Sequence, residues 1–253
     1  MLPRTPSYRL DGKRAVVIGG SRGIGLGCAV ALAEQGASVV IVARSKGQVF
    51  ETVNEMKTEG FSVSGAPMDV RIIDNVKNLM GEYSDIDILV NSAGIARHTP
   101  TVDTTELDFD DVMSVNVRSA YFLAQSAAKQ MISKGTGGSI IQISSQMAHV
   151  GGIDRAVYCG TKHAIEGINK SMAIEFGPHK IRVNSICPTF IRTPFTEPTF
   201  KDPEKVKWIE SKIKVGRVGE VEDIMGAVKF LASDVSAMVT GSSILIDGGW
   251  TAG

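Results

Sequence analysis

The sequence predicts an α/β fold, a doubly wound parallel sheet in three α/β/α layers, built as one domain across residues 1–253. Three observations carry this expectation. Short apolar runs rich in β-branched residues alternate with longer stretches of helical apolar spacing, an order that calls for parallel strands joined by crossover helices. A glycine-rich turn links the first run to the first helical stretch. No internal repeat, low-complexity tract or charge block marks a linker to a second domain.

The elements follow in order. Residues 15–18, Ala-Val-Val-Ile, are short and wholly apolar, as a strand buried on both faces must be. The glycine turn opens a helix over 24–34, and residues 38–42 form the next strand. The stretch 62–68 supplies another, followed by the apolar run 86–90. A long helical pattern covers 112–131, then come strand 139–143, helix 158–176 and strand 182–186. Pro188, Pro194, Pro198 and Pro203 crowd into one region before a helical run at 206–214. Because ligands bind beyond the carboxyl ends of such strands, this excursion reads as a substrate lid over 190–215. A helix at 221–231 and a strand at 243–246 complete the pattern.

Bulk properties narrow the partners. Lys plus Arg and Asp plus Glu both number 27, giving zero net charge and no basic stripe for nucleic acid or anionic membrane. No run has the length of a membrane span, and residues 1–10 lack the apolar core of a secretory signal, so they read as a short disordered arm. Cys28, Cys159 and Cys187 are far apart, without disulfide or zinc spacing; no metal is expected, and a reducing cytoplasm is the expected location.

The turn reads Gly19-Gly20-Ser21-Arg22-Gly23-Ile24-Gly25. Glycines there let the backbone turn sharply and approach a ligand, so a pyrophosphate can lie against the amides and positive end of the following helix. At the end of the second strand, where a carboxylate would hold a ribose 2'-hydroxyl, the sequence offers Arg44. Arg44, with Arg22, suits a 2'-phosphate, which favours NADP(H) while leaving NAD(H) possible.

Tyr158 and Lys162 stand four residues apart on a helical pattern and project from one face. A free phenol ionises near about 10, and a nearby ammonium favours its anion, so Tyr158 could exchange a proton with a substrate oxygen. Ser145, just after a strand, would hydrogen-bond the same oxygen while the nicotinamide exchanges hydride with the carbon.

The glycine turn, Asn91-Ser92-Ala93-Gly94, Asn116, Ser145, Tyr158-Cys159-Gly160-Thr161-Lys162, Pro188-Thr189-Phe190-Ile191-Arg192-Thr193 and the closing Asp247-Gly248-Gly249 come in the order and spacing of the short-chain dehydrogenase/reductase family, which the chain resembles from about Leu10 onward. The resemblance implies a Rossmann-type nucleotide-binding enzyme with four catalytic residues. Tyr158 would be the acid/base, Lys162 the ligand of the nicotinamide ribose, Ser145 the substrate-positioning group, and Asn116 the holder of a water in a proton relay. It further implies cofactor contacts at Gly19, Ser21, Arg22, Gly23, Ile24, Gly25, Asp69, Val70, Asn91, Ala93 and Gly94. Others fall at Pro188, Ile191 and Thr193, and a homotetramer is implied. Three departures from the family pattern are Ile18 for a threonine, Ser92 for an asparagine and Thr189 for a glycine.

Other residues read as secondary. Ser144 packs near the cofactor, and His149 is a loop histidine more often solvated than in contact with substrate. His163 faces away, and Cys159 is a buried small side chain. Arg97, His98 and Arg155 either attract an anionic substrate together or are scattered surface cations; the second reading is favoured. Phe195 and Trp208 suit an apolar pocket wall, and Trp250 a subunit contact.

The function expected is therefore an NADP(H)-preferring oxidoreductase that interconverts a secondary alcohol and a ketone, with a small-molecule carbonyl or alcohol substrate. Within that class, a 3-oxoacyl-thioester reductase and an NAD-using sugar or polyol dehydrogenase stay open. A non-catalytic NADP(H) sensor or scaffold would not require Tyr158, Lys162, Ser145 and Asn116. A nucleotide-sugar epimerase would need an extra C-terminal domain for which the chain offers no room.

Overall fold

The computed structural model describes residues 2–253. Its strands are β1 (Arg14–Ile18), β2 (Ser38–Ala43), β3 (Val63–Pro67), β4 (Ile88–Asn91), β5 (Gly138–Ile143), β6 (Ile181–Pro188) and β7 (Ser243–Ile246). All pair in parallel, in the order β3-β2-β1-β4-β5-β6-β7. The chain winds outward from β1 to β3, then returns to the other side of β1 with β4. This reversal opens a crevice above the carboxyl ends of β1 and β4, the point where open α/β sheets bind ligands.

Nine α-helices connect the strands among the described residues: α1 (Gly23–Glu34), α2 (Lys46–Thr58), α3 (Ile73–Glu82), α4 (Glu106–Met113), α5 (Ala120–Lys134), α6 (Ala156–Phe176), α7 (Glu197–Phe200), α8 (Pro203–Lys212) and α9 (Glu222–Ala232). Two apolar layers cover the sheet. One packs α1, α2 and α9 on residues such as Val17, Ile41 and Val90; the other packs α3, α5 and α6 on Val16, Leu89 and Ile140.

The helix expected over 112–131 begins earlier, because Thr105 caps α4 by accepting from the Asp108 amide at 3.1 Å and acidic residues fill the first turn. It runs from Glu106 to Lys134, interrupted at Ser114–Ser119 by a π-helical turn that contains Asn116. Such turns recur at functional sites.

Residues 190–215 fold as α7 and α8 and are tied back to the body. Ile191 pairs with Gly219, and Ile209, Ile213 and Val218 form a small core with Phe190, Phe200 and Trp250. Trp250, expected at a subunit contact, is engaged within the chain: its ring lies 5.8 Å from Phe190 and 5.5 Å from Trp208. The N-terminal arm has no helix or strand from Leu2 to Leu10, and Leu10 is buried with its amide on the Gln35 carbonyl; Met1, part of the same expectation, lies outside the described residues. No helix among the described residues is long and apolar enough to cross a membrane.

Candidate active site

A cavity of about 460 Å³ occupies the crevice. Its floor at one end is the glycine turn. Gly19 takes φ +76°, and its amide donates to the Val42 carbonyl at 2.7 Å. A Cβ at Gly25 would collide with the Gly19 carbonyl group, so only glycine lets α1 start this close to the turn. Arg22, the residue before α1, gives no side-chain cap, which leaves the first amides of a 12-residue helix open toward the cavity. Thr52 on α2 braces the turn by donating to the Ser21 carbonyl at 3.1 Å. A shallow glycine cradle below uncapped helical amides fits a dinucleotide pyrophosphate.

Gly19, Ser21, Arg22, Gly23, Ile24 and Gly25 all line this end, with Arg44, Asp69 and Val70 beyond them. Asp69 lies in the field of Arg44 but is bound by Arg71, which donates from Nη2 to Oδ2 at 2.7 Å and from its amide to Oδ1 at 2.9 Å. The Arg71 hydrogen bonds hold the Asp69 carboxyl below its ordinary value. Arg71 lines the cavity too and was missed in the sequence; its only signal there is its place two residues after Asp69.

At the other end, Ala93, Gly94, Ser145, Tyr158, Lys162, Pro188, Ile191 and Thr193 line the wall. Lys162 is buried and donates to the Ile143 carbonyl at 3.0 Å, with its ammonium 5.6 Å from the centre of the Tyr158 ring. Ser145 accepts from the Met147 amide at 3.1 Å, which leaves its own proton free to be donated.

Two expected site residues lie behind this wall rather than on it. Asn91 is buried, donating to Gln142 at 2.8 Å and accepting from the Ala93 amide at 3.2 Å. Asn116, on the π-turn, accepts from the Ile95 amide at 2.9 Å. Its amide group donates to the Ile95 carbonyl at 2.8 Å and to Thr161 at 3.2 Å. The side chain thus clamps the loop after β4 to α6. A Cβ on Gly94 would lie 3.5 Å from Asn116 Oδ1 and 3.8 Å from Lys162 Nζ, which shows how closely β4's loop approaches both.

The departures are absorbed locally. Ile18 gives its carbonyl to the Ser92 amide at 2.9 Å, a bond blind to side chain. Thr189 needs no left-handed backbone; only Asp154 and Lys180 adopt it among non-glycine described residues. Thr189 and Ser144 both line the cavity, with their hydroxyls turned into the protein.

Sequence adjacency misgrouped the cations. His98 and Arg155 do line the cavity beside Tyr158, with the His98 ring edge-on to Tyr158 at 6.2 Å. Arg97 turns away to Asp108 and Asp111, at 3.4 and 3.9 Å. Burial first, then the Arg155 charge, pushes His98 down to about 4. Phe195 lines the cavity and Trp208 does not; His163 is exposed and bonds the Cys159 carbonyl at 2.9 Å. His149 is exposed beyond the wall, near Glu166 and Cys187, whose carboxylate is already held by Ser185 at 2.7 Å and by Ser243.

Comparison with known proteins agrees with this geometry. A family model described as Enoyl-(Acyl carrier protein) reductase matches residues 18–251. L-xylulose reductase of Bos taurus is 37% identical over 244 residues, 96% of this chain and 98% of that one. The 2-dehydro-3-deoxy-D-gluconate 5-dehydrogenase of Escherichia coli K12 is 37% identical over 250 residues, 97% and 98% of the two chains. Among solved structures, a gluconate 5-dehydrogenase from Burkholderia cenocepacia, in complex with NADP and tartrate, superposes with a TM-score of 0.94 at 34% identity, covering 97% of this chain and 98% of that chain.

Proposed function

The chain belongs to the short-chain dehydrogenase/reductase family, and from that premise we propose that it is an NADP(H)-preferring oxidoreductase interconverting a secondary alcohol and a ketone on a small polyhydroxylated molecule. The observation that carries it is the placement of Tyr158 and anchored Lys162 in one cavity with an uncapped glycine turn.

When bound, the nicotinamide supplies or accepts hydride. The chain's residues do the rest. Amides at Gly19 to Gly25 hold the pyrophosphate, Arg44 and Arg22 the 2'-phosphate, and Asp69 with Val70 the adenine side. Asn91, Ala93 and Gly94 shape the wall on the nicotinamide side, opposite Pro188, Ile191 and Thr193. Lys162 binds ribose hydroxyls and, through its charge, stabilises the anion formed when Tyr158 gives up its proton. Ser145 donates to the substrate oxygen, and Tyr158 passes its proton to that oxygen in reduction or takes it in oxidation. Asn116 is assigned to positioning, because its side chain is committed to Ile95 and Thr161.

The whole chain acts as one catalytic unit, with 190–215 as the lid. We place it in the cytoplasm, in keeping with three free cysteines, and as a homotetramer, in keeping with the open groove between α4 and α6 lined by Phe109, Met113 and Val157. Sedimentation of the purified protein tests the assembly.

Titration with NADPH and with NADH, followed by the fluorescence of the reduced nicotinamide, tests the cofactor assignment. NADPH is expected to bind at least about tenfold more tightly, and Arg44→Ala to remove most of that preference. Equal binding of both by the unaltered protein would refute the role of Arg44.

A further inference from the structure

We propose that Arg155 is a carboxylate-recognition residue and that the substrates are hydroxy or keto acids rather than neutral ketoses; this rests on the alcohol/ketone reading above. The cations lining the cavity are Arg22, Arg44, Arg71, Arg155 and Lys162. The first two lie at the phosphate end, Arg71 is bound to Asp69, and Lys162 is committed to Ile143. Arg155 alone stands at the reacting end with donors to spare. Its one hydrogen bond goes from Nη1 to His98 Nε2 at 3.0 Å.

That partner cannot neutralise it. With its pKa near 4, His98 is an uncharged imidazole at neutral pH, and its Nε2 acts as acceptor. The guanidinium lies 5.5 Å from the centre of the Phe190 ring, and its stem meets Met147 beside Gly152. Burial there works against the Arg155 charge; the neighbouring Asp154 acts on it through its field without forming an ion pair, and the acidic residue lining the cavity, Asp69, is at the far end. A cation held in a half-buried apolar slot with most of its fork free suits a planar anion that accepts two parallel hydrogen bonds. Arg97, two residues from the start of the same wall, shows the contrasting case: exposed and paired to carboxylates.

The charge count selects among anions. One guanidinium without an ion-pair partner balances one negative charge. A phosphate dianion would need a second free cation, and Lys162 has other work. His98 links the two groups, its ring edge-on to Tyr158 at 6.2 Å and its Nε2 hydrogen-bonded to Arg155, so a carboxylate on Arg155 would stand a few carbons from a carbon beneath Tyr158. A short polyhydroxylated acid therefore fits with its carboxylate on Arg155 and one carbinol or ketone carbon beneath Tyr158.

The test uses the NADPH-saturated protein and two probes of one skeleton, threonate and threitol, which differ at one end in bearing a carboxylate or a CH2OH group. Binding is measured by calorimetry with the unaltered protein, Arg155→Met and Arg155→Lys. Methionine keeps the apolar stem against Phe190 and removes the charge. Threonate is expected to bind the unaltered protein at least about tenfold more tightly than threitol, and Arg155→Met to weaken threonate about 10- to 100-fold while leaving threitol within about twofold, with Arg155→Lys between. Equal affinities for the two probes in the unaltered protein, or equal losses for both in Arg155→Met, would overturn the proposal. NADPH binding is read first in the same samples; its absence removes the alcohol/ketone reading and this one with it, whereas tight NADPH binding with indifference to carboxylate removes only the assignment of Arg155.

Discussion

Gly25→Ala separates a cofactor cradle from an ordinary packing glycine. A Cβ at this position would lie 2.7 Å from the Gly19 carbonyl carbon and 3.2 Å from the Gly20 Cα. Carbon atoms pack at about 3.5–4.0 Å, so the turn must move by about 1 Å, and both obstacles are backbone with no rotamer to escape into. Such overpacking costs about 1–3 kcal/mol. Shifting Gly19 also weakens its 2.7 Å bond to Val42. That adds about 1 kcal/mol, for a total of roughly 2–4 kcal/mol. In a chain of this size the loss corresponds to a fall of roughly 5–15 °C in the melting temperature. The displaced amides are those assigned to the pyrophosphate, so NADPH affinity is expected to fall by more than about tenfold. Gly27→Ala is the control. Its Cβ meets Val221 Cγ1 across the contact between α1 and α9, away from the cavity. It should lower stability while NADPH affinity stays within about threefold, and adding Val221→Ala should restore part of the melting temperature. Fluorescence titration and thermal melts of the three variants decide the matter. If Gly25→Ala binds NADPH as the unaltered protein does, the turn is not the cradle.

Tyr158→Phe removes the proton donor without moving the ring, so turnover of any ketone the protein accepts should fall at least about 10³-fold with NADPH binding retained; full turnover would exclude the acid/base role. Asn116→Ala strands the part-buried Ile95 amide and carbonyl, at a cost of about 1 kcal/mol each, and should lower stability and reduce kcat more than it changes KM; a change in KM alone would argue against a clamp behind the wall. The His98 pKa, lowered to about 4 in the folded protein, makes the unfolded chain take up its proton first. Stability should thus be unaffected above about pH 6.5 and decline as pH falls from there to about 4, less steeply in His98→Gln. Denaturant melts across that range measure it, and identical slopes for the two proteins would contradict an imidazole held neutral beside Arg155.

The strand and helix order, the glycine turn and the shared helix face of Tyr158 and Lys162 were legible in the sequence because each rests on local spacing, a period of two or 3.6 or a fixed offset along one helix face, whereas Asn116 entered only through the family resemblance. Helix boundaries were less so. The early start of α4 depends on the Thr105 cap, and the π-turn at Ser114–Ser119 is invisible in apolar periodicity. Adjacent residues also parted company. Arg97 and His98 follow one another, yet one faces α4's carboxylates and the other the cavity; Asn91 and Asn116 sit behind the wall while Ala93 and Gly94 form it. Arg71, two residues beyond Asp69, joined the site unannounced.

The sequence by itself determined the α/β winding, the glycine turn after the first strand and the placement of Tyr158 and Lys162 on one helix face. Only the tertiary structure decided which cations are ion-paired: Arg71 is bound to Asp69, Arg97 to Asp108, and Arg155 stands over Phe190 with a histidine as its hydrogen-bond partner. The physical reason is range. Periodicity and glycine geometry act between neighbours along the chain, whereas a charge is neutralised or left free by whatever folding brings within a few ångströms of it, from any distance in sequence.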